Sequence, residues 1–569
     1  MAVIGSTGRI RALLFLVILV GIGLVGKLYL VQIVNGAQYS EEADHQYVRP
    51  NHNLYNRGTI YFQPHDGEPL PAATLDSGFT VAINPQQVSR PEETYRLLSS
   101  IIDIEKESFL EKAAKEDDPY EEIAKRLDRV TADALDELPL EGVQLYKEKW
   151  RHYPGDSMAA HTLGIVGYQD GKNVGQYGLE RFYEEVLRRG NSQLHVNFFA
   201  EVFSNMKDTI FQGSAKQGSI VTGIEPNVQA LLESQLEKIS NTWNSRLTGG
   251  IIMDPATGQI LAMAVDPTYD PNDRSGTDQS MFKNPLIENV HEMGSIIKPI
   301  TMAIGLDAGA ITPDTTYNDK GFLELSGYTI KNYDGVGRGI VSMQDVLNES
   351  LNTGSAFVAQ QVDVERFANK MRAFGLGEKT KIDLPSETSG LISNLETARD
   401  IEVATASYGQ GIAMSPISTT RALAVLANGG RLVTPHVGRK IVYDIGGSTS
   451  LVPDVGEQVI DPTTSETITR MLVNVVDEAL AGGEHARDRH SIAAKTGTAQ
   501  IPIVGGSGYY ENKYLHSFFG YAPAYDPKFL VFLYTIEPQG TQYASQTLTD
   551  PFMDLITYLI NYYEVPPDR

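Results

Sequence analysis

The stretch Gly-Ser-Ile-Ile-Lys-Pro at residues 294–299 predicts a helix start with a reactive pair of side chains. A nearly unbroken apolar run follows it and ends at Gly309, a pattern typical of a buried helix. Pro299 has no amide hydrogen and clashes with the carbonyl group four residues back, so it is tolerated only in a first helical turn. The helix is therefore predicted to begin near Ser295, where free amide groups favour developing negative charge. Ser295 and Lys298 are three residues apart and share one face, so their side chains can touch.

This Ser-x-x-Lys pattern predicts Ser295 as a nucleophile and Lys298 as its general base. A lysine can accept a proton only when it is neutral, and burial beside a second cation lowers its pKa. Lys495 is the candidate second cation. Alone the pattern carries little information, because roughly one chance match is expected in a chain of this length. A second copy, Ser204 to Lys207, follows an aromatic stretch and lacks partner motifs, so we interpret it as structural.

A second motif, Ser-Leu-Asn at residues 350–352, lies in the segment 345–357, which is predicted to begin as a helix and to break at Thr353-Gly354. The Ser350 hydroxyl can relay a proton to a leaving amine, and the Asn352 amide can hold both Lys298 and a substrate amide. Considered alone, the motif would be read as a helix-end cap.

The third motif, Lys-Thr-Gly-Thr at residues 495–498, follows a short apolar run and predicts a strand. Gly497 would let another backbone or a ligand approach this strand closely. The Lys495 cation, the hydroxyl groups of Thr496 and Thr498, and exposed strand amides would hold a carboxylate and an extended peptide by strand addition. Standing alone, the motif would indicate an ordinary β-hairpin edge.

In this order the three motifs resemble those of the penicillin-recognising serine acyltransferases. Arg-Gly-Thr-Ile at residues 57–60 resembles the membrane-proximal signature of class B penicillin-binding proteins, and Gly-x-x-Gly-Leu-Glu at 175–180 resembles the end of their pedestal core. Five further stretches match the family in order: 254–263, 267–272, 409–412, 427–430 and 518–523. There are four departures: Met293 replaces the usual proline, Ile296-Ile297 a more polar pair, Leu351 a small residue and Ala494 a glycine.

The resemblance implies an α+β fold. A serine β-lactamase-like transpeptidase domain, an antiparallel sheet flanked by helices, would occupy residues 219–569 and stand on an elongated α+β pedestal at residues 35–218. Within the former, an amphipathic helix is predicted at 225–239, and the last element recognised is an apolar strand at 529–534.

The resemblance also implies the chemistry. Ser295 would be acylated by the penultimate D-alanine of a peptidoglycan stem peptide, and the amine of a neighbouring stem would resolve the ester as a cross-link. Ser350 and Asn352 would pass a proton to the leaving D-alanine. Lys495 and Thr498 would bind the carboxylate, and the backbone amides of Ser295 and Thr498 would form the oxyanion hole. β-Lactams would trap the same serine, and neither a cofactor nor a metal would be needed.

The N-terminus predicts a membrane anchor. Arg9 and Arg11 precede an apolar segment, residues 12–34, which is long enough to cross a bilayer if Lys27 snorkels. The positive charges place residues 1–11 in the cytoplasm and the bulk of the chain outside the cytoplasmic (inner) membrane. The alternative is a cleaved signal peptide with a small-residue site at 35–37.

Composition limits the partners. The net charge of -24 and the pI near 4.9 argue against nucleic acid. With no cysteine, the chain has neither disulfides nor thiol chemistry. The resemblance implies as partners a membrane-embedded glycan polymerase and proteins of the divisome or elongasome.

Three functions stay open on the sequence. The first is the transpeptidase described above, and Asn352 favours a division-type over an elongation-type enzyme. The second is a D,D-carboxypeptidase or β-lactamase, in which water resolves the same ester. The third is a non-enzymatic scaffold or sensor of the wall-synthesis machinery.

Overall fold

The computed structural model describes residues 56–115, 118–169, 172–189, 217–397, 399–453, 456–506 and 508–569, together with Phe15 and Lys27. These residues form two compact units. The smaller unit contains Leu75–Trp150, and the larger contains Arg57–Thr74, Arg151–Arg189 and the described part of Asn197–Arg569. The predicted division of the chain at residues 218 and 219 stays a prediction.

Two sequence predictions fall outside the described residues. One is the membrane anchor at residues 12–34, apart from Phe15 and Lys27, and the other is the second Ser-x-x-Lys pattern at 204–207. Within the part of the chain that the structure describes, no helix combines the length and the apolar character needed to cross a membrane.

The strands are numbered in chain order. Their bounds are β1 Ile60–Phe62, β2 Leu70–Ile83, β3 Glu121–Leu127, β4 Val143–His152, β5 Val166–Gln169, β6 Lys172–Gly175, β7 Gly218–Thr222, β8 Leu247–Met253, β9 Ile260–Asp266, β10 Thr316–Asp319, β11 Phe322–Leu325, β12 Tyr328–Lys331, β13 Gly339–Ser342, β14 Gly438–Tyr443, β15 Ser448–Ser450, β16 Ala493–Pro502, β17 Tyr509–Ala522 and β18 Phe529–Ile536.

The helices come next. The α-helices are Pro91–Leu98, Lys106–Ala113, Arg129–Asp136, Ala160–Leu163, Gly178–Phe182, Glu184–Leu187, Pro226–Trp243, Pro285–Glu288, Lys298–Asp307, Met343–Asn348, Asn352–Val362, Val364–Ala373, Ser393–Thr397, Asp400–Ala406, Pro416–Ala427, Pro462–Asn474 and Ala544–Tyr562. Shorter 3-10 or π turns span Pro85–Gln87, Gln279–Phe282, Gly294–Ile297, Val475–Ala479 and Leu480–Gly483.

In the smaller unit, the later part of β2 pairs with β3, and β4 also pairs with β2. Three helices, Pro91–Leu98, Lys106–Ala113 and Arg129–Asp136, complete this unit. Their apolar faces and the inward face of β2 share one core, in which Val81, Leu98 and Phe109 are buried.

The larger unit is built on a five-stranded antiparallel sheet with the order β16-β17-β18-β8-β9. Successive strand residues point to opposite faces, so β18 divides its side chains between two cores. Val531 packs with the helices Pro226–Trp243 and Ala544–Tyr562 on one face, while Phe532 packs with the helix Lys298–Asp307 on the other. The predicted α+β class, with an antiparallel sheet flanked by helices, is confirmed.

Two predicted elements of this unit are present, and the long helix after β18 is among those that were not predicted. The amphipathic helix forms at Pro226–Trp243 and the apolar strand at Phe529–Ile536. The helix Ala544–Tyr562 then follows β18, although Pro551 lies inside it. An internal proline removes a helical hydrogen bond and interrupts the apolar pattern, which is why the sequence did not indicate this helix.

A second sheet of the larger unit has the order β15-β14-β7-β1, and the start of β2 adds to it. Three two-stranded pairs, β5–β6, β10–β13 and β11–β12, complete the strands. The pairs β10–β13 and β11–β12 lie in the chain between the Ser295 turn and the Ser350 motif.

Candidate active site

The Ser295 turn lies directly against strand β16. Helical geometry begins with a 3-10 turn at Gly294–Ile297 and continues as the α-helix Lys298–Asp307, with Pro299 in its first turn as predicted. Gly294 has a φ of +65°, and a Cβ atom on it would stand 2.7 Å from the Thr498 carbonyl oxygen. Only glycine therefore fits here, and it brings the residue before Ser295 into backbone contact with the Lys-Thr-Gly-Thr strand.

Gly497 makes the same approach from the side of the strand. A Cβ atom on Gly497 would lie 2.4 Å from Ser517 Oγ and 2.9 Å from the Met293 carbonyl oxygen. The Ser517 hydroxyl donates a hydrogen bond of 2.8 Å to that same carbonyl. The strand and the turn are thus in contact across a glycine, as the sequence predicted for this position.

We expect Gly497→Ala to slow acylation by penicillin by at least about tenfold, because the methyl group must push the strand and the Ser295 turn apart, and small displacements of reacting groups are costly in rate. The second-order rate constant for acylation is the measurement. Gly506→Ala is the matched control, since the three atoms nearest to its added Cβ would all belong to Ile503 and none to the Ser295 turn. Equal rates for the two variants would contradict the close contact.

Lys298 is the most deeply buried charged group of this region. Its side chain is fully buried, and its Nζ donates hydrogen bonds to the Ser350 carbonyl oxygen and to Ser350 Oγ, the latter at 3.2 Å. Ser350 has a φ of +56°, and it lies at the break between the helices Met343–Asn348 and Asn352–Val362. The first and second motifs are therefore in direct contact.

The predicted position of that helix break was wrong. The helix ends at Asn348 and resumes at Asn352, so Thr353-Gly354 lies inside the second helix. Gly354 is there because of packing: a Cβ atom on it would stand 2.4 Å from a methyl group of Val346. Ser350 makes the turn instead, in a left-handed conformation that a non-glycine residue adopts at some cost.

Burial sets the protonation of the two lysines. Burial, and then the nearby charge of Lys495, lower the pKa of Lys298 well below its usual range. Burial lowers the pKa of Lys495 to about 8, and its Nζ donates to the Thr496 carbonyl oxygen at 3.1 Å. The lowered pKa of Lys298 favours the neutral amine that a lysine base needs, and Lys495 is the second cation beside it.

Asn352 is held by a neighbour that the sequence did not indicate. Its side-chain amide donates to the Lys331 carbonyl oxygen at 2.9 Å. Within the described residues, the hydrogen bonds of the Lys298 amine go to Ser350 and not to Asn352, contrary to one of the predicted contacts. The Asn352 amide oxygen accepts no hydrogen bond from the described residues.

The carboxylate of Asp319 accepts hydrogen bonds that hold the start of the helix after the Ser350 motif. It is buried and accepts hydrogen bonds from Thr353 Oγ1 at 2.7 Å, from Asn332 Nδ2 at 2.9 Å and from the Arg338 amide at 3.0 Å. Asp319 and Asn332 fix the start of the helix that carries Asn352. Sequence reasoning missed both, and nothing in their spacing relative to the motif could have found them.

Strand β16 is positioned to bind an extended ligand. It is an edge strand of the five-stranded sheet, so one of its sides is unpaired within the described sheet. The hydroxyl oxygen of Thr498 accepts a hydrogen bond from the Ala544 amide at 3.1 Å. This contact uses an acceptor position, so the Thr498 hydroxyl hydrogen can donate to a ligand carboxylate.

Family comparison agrees with this geometry. Residues 248–557 match the family described as the penicillin-binding protein transpeptidase domain, and residues 55–219 match the penicillin-binding protein dimerisation domain. The chain belongs to the class B penicillin-binding proteins. The resemblance that the sequence motifs indicated is confirmed.

Similar proteins include Stage V sporulation protein D of Bacillus subtilis, 29% identical over 86% of this chain and 77% of that relative. The peptidoglycan D,D-transpeptidase FtsI of Escherichia coli is 27% identical over 78% of this chain and 73% of its own. The probable peptidoglycan D,D-transpeptidase PenA of Neisseria meningitidis is 26% identical over 99% of this chain and 94% of its own.

Solved structures agree in fold. Penicillin-binding protein 3 of Mycobacterium tuberculosis, complexed with aztreonam, superposes with a TM-score of 0.68 at 22% identity, covering 91% of this chain and 98% of the other. Penicillin-binding protein 2X of Streptococcus thermophilus gives a TM-score of 0.71 at 18% identity, covering 89% of this chain and 80% of the other.

Two stretches that resemble class B signatures meet in a buried ion cluster of the larger unit. Arg57 Nε lies 2.5 Å from Glu180 Oε2, and Arg151 Nε lies 2.5 Å from Glu180 Oε1. Arg151 also donates to the Gly58 carbonyl oxygen at 2.8 Å. The signatures at 57–60 and 175–180 are thus joined by this ion cluster, a contact that the sequence could not show.

Proposed function

We propose that this class B penicillin-binding protein is a peptidoglycan D,D-transpeptidase that works through an acyl-enzyme on Ser295. The observation that carries the proposal is the fully buried Lys298 amine, one turn after Ser295, hydrogen-bonded to Ser350 beside the edge strand β16. A buried lysine with a lowered pKa and a serine within the same turn favour nucleophilic catalysis without histidine or metal.

In the proposed reaction, Lys298 accepts the hydroxyl proton as Ser295 Oγ attacks the carbonyl carbon of the penultimate D-alanine. The carbon–nitrogen bond breaks, and Ser350, assisted by Asn352, passes a proton to the nitrogen of the leaving D-alanine. The amine of a neighbouring stem peptide then attacks the ester. A new amide forms, and the Ser295 hydroxyl is restored.

Substrate binding is assigned to the edge strand. Lys495, Thr496 and Thr498 would bind the terminal carboxylate, and Gly497 would allow the peptide backbone to approach. The amides of Ser295 and Thr498 would stabilise the developing oxyanion, and the backbone contact at Gly294 supports their proximity. β-Lactams would acylate the same serine because they present a carboxylate and a reactive amide in the same arrangement.

The cellular setting is proposed on the N-terminal sequence. Residues 12–34 would anchor the protein in the cytoplasmic membrane, with the enzyme outside. Peptidoglycan stem peptides would be the substrate, and a membrane-embedded glycan polymerase with divisome or elongasome proteins would be partners. Asn352 favours a division-type role.

The test is mass spectrometry of the intact protein after reaction with benzylpenicillin. We expect one adduct on the intact protein, located after proteolysis on the peptide that contains Ser295, and no adduct in Ser295→Ala. Ser204→Ala is the matched control from the second Ser-x-x-Lys pattern, and it should be acylated like the unaltered protein. An adduct that persists in Ser295→Ala would refute the assignment, and rapid turnover of a chromogenic cephalosporin would favour the hydrolase.

A further inference from the structure

The helix Ala544–Tyr562 begins directly beside strand β16. Its N-cap residue, Tyr543, gives no side-chain hydrogen bond to the helix start, so the first amide groups need acceptors from elsewhere. The Ala544 amide has Thr498 Oγ1 as its acceptor, at 3.1 Å. The positive end of a 19-residue helix therefore lies at a residue that would bind the ligand carboxylate.

This hydrogen bond affects what the Thr498 hydroxyl can do. A hydroxyl group has one hydrogen and two acceptor positions, and the Ala544 amide occupies one of the latter. Hydrogen bonds in a chain polarise one another, so the bond that Thr498 accepts strengthens the bond that it donates. The position of the Ala544 amide therefore influences how well Thr498 binds a carboxylate.

The connection that precedes the helix, residues 537–543, is mostly exposed. A Cβ atom added to Gly540 would meet no other atom within 4 Å, so packing does not hold the connection there. In the part of the chain that the structure describes, residues 540–543 have one hydrogen bond to the five-stranded sheet. The Gln542 carbonyl oxygen accepts it from His516 Nε2 at 3.0 Å.

His516 lies on β17 directly opposite Thr498 of β16. Opposite residues of an antiparallel pair carry their side chains on the same face of the sheet, so the two side chains are neighbours. The His516 ring is fully buried, and its Nδ1 lies 3.0 Å from Thr547 Oγ1. One ring therefore contacts both the residues before the helix and the helix itself.

The partners of His516 determine which ring nitrogen carries the hydrogen. A carbonyl oxygen only accepts, so Nε2 carries a hydrogen and donates it to Gln542. Burial lowers the pKa of His516 to about 4, so the ring is neutral at physiological pH. Nδ1 is then an acceptor for the Thr547 hydroxyl, which also lies 3.2 Å from the Ala544 carbonyl oxygen. Both nitrogens have partners, and these hold the ring in one orientation.

We propose that His516 is a positioning residue for the binding of the ligand carboxylate. Through the Gln542 carbonyl it holds the start of the helix, so that the Ala544 amide donates to Thr498 and the Thr498 hydrogen is directed to the carboxylate. The buried ring does not touch the ligand. The inference rests on the proposed transpeptidase function and assigns to it a residue outside the three motifs.

Benzylpenicillin and its methyl ester test the proposal on the full-length protein, because they differ only at the carboxylate. The second-order rate constant of acylation is measured for each, and the ratio of the rate for the acid to the rate for the ester reports carboxylate binding. We expect His516→Leu to lower this ratio at least about tenfold, the scale of one lost hydrogen bond to a charged group. A general structural defect would instead slow both compounds equally and leave the ratio unchanged.

Two amide variants separate the roles of the ring nitrogens. His516→Gln places an amide nitrogen near the position of Nε2, so it should keep most of the ratio. The side chain of His516→Asn is too short to reach the Gln542 carbonyl, so this variant should lose the ratio as His516→Leu does. The opposite result, with the ratio kept in His516→Asn and lost in His516→Gln, would contradict the proposal.

Thr535→Val is the matched control. Thr535 lies opposite His516 on β18, away from β16, and is fully buried. Its hydroxyl is hydrogen-bonded to Thr248 Oγ1 at 2.9 Å, so the variant loses a buried hydrogen bond of the same sheet that does not involve residues 542–544. The ratio should equal that of the unaltered protein.

A double variant shows whether His516 acts through Thr498. Thr498→Val removes the hydroxyl that would donate to the carboxylate, and so lowers the ratio by itself. If His516 acts through that hydroxyl, adding His516→Leu should lower the ratio no further. Losses that multiply in the double variant would overturn the proposal.

The unaltered protein provides a test that needs no variant. Rates for the acid and the ester within twofold of each other would show that the carboxylate is not bound, and would overturn the inference. An unchanged ratio in His516→Leu, or in His516→Asn if the former does not fold, would overturn it too and leave the proposed function standing. If benzylpenicillin does not acylate the unaltered protein, the proposed function fails, and the inference fails with it.

Discussion

Lys298→Met is expected to slow acylation by benzylpenicillin by between about 10² and 10⁴-fold, the range found when a general base is removed. Methionine fills a similar volume without an amine, so the buried site should keep its packing while Ser295 loses its proton acceptor. The second-order rate constant of acylation, followed by labelling with a fluorescent penicillin, is the measurement.

Lys298→Arg tests whether Lys298 acts as a proton acceptor or only as a positive charge. A guanidinium has no acceptor and stays protonated in proteins, so this variant should be about as slow as Lys298→Met although it retains nitrogen donors at the site. Lys207→Met, from the second Ser-x-x-Lys pattern, is the matched control and should react normally. If Lys298→Arg kept a tenth or more of the rate, Lys298 would not be the base.

The pH dependence belongs to the same prediction. The pKa of Lys298 is lowered by burial and by Lys495, so its amine becomes neutral, and active, at a pH well below that of a free lysine. Acylation should therefore rise with pH through that lowered pKa. It should fall again near pH 8, where Lys495 loses the proton with which it binds a carboxylate, because burial lowers its pKa to about 8.

The sequence could predict the chemistry because the chemistry lies in short, local patterns. Pro299 restricts the helix start to one turn, and the apolar residues after it predict burial of Lys298, which the structure has. Strand β16 could likewise be predicted from the local composition, and Gly497 predicted the close approach of another backbone to it. Each of these inferences needs only neighbouring residues.

The helix break at Ser350 could not be predicted in this way. Ser350 adopts a left-handed conformation although glycine stands four residues later, and the helix through Gly354 persists because of packing against Val346 and the hydrogen bond from Thr353 to Asp319. Those partners are distant in the chain or in other elements. Tertiary contacts therefore override the local preference for a break at glycine.

A cavity beside the Ser295 turn shows the same limit. Glu292 and Gln500 are far apart in the sequence, and each looks like an ordinary polar residue beside a motif. Only the contact between the turn and β16 places them on one wall. The composition of this cavity wall is thus a property of the fold, whereas the Ser-x-x-Lys motif is visible in the sequence.

Loss of the carboxylate of Glu180 is the largest stability effect that we expect. It is completely buried between Arg57 and Arg151, and removing one partner of such a cluster leaves uncompensated buried charges. Glu180→Gln should therefore lower the free energy of unfolding by about 3–5 kcal/mol, measured by urea denaturation of the full chain.

The matched control for Glu180 is Glu184, which lies 2.7 Å from the Arg57 guanidinium but keeps 21% of its side chain exposed. Glu184→Gln should lower the free energy of unfolding by about 1 kcal/mol, because solvent screens a partly exposed pair.

Burial alone would raise the pKa of Glu180, but the charges of Arg151 and Arg57 outweigh it and lower that pKa. The stability that Glu180 contributes is therefore fully present above the pKa of a glutamate in the unfolded chain, and it is lost as the pH falls through the lowered pKa of the folded state. Glu180→Gln should therefore lose less stability in acid than the unaltered protein does. Equal destabilisation by Glu180→Gln and Glu184→Gln would show that the cluster does not depend on its central carboxylate.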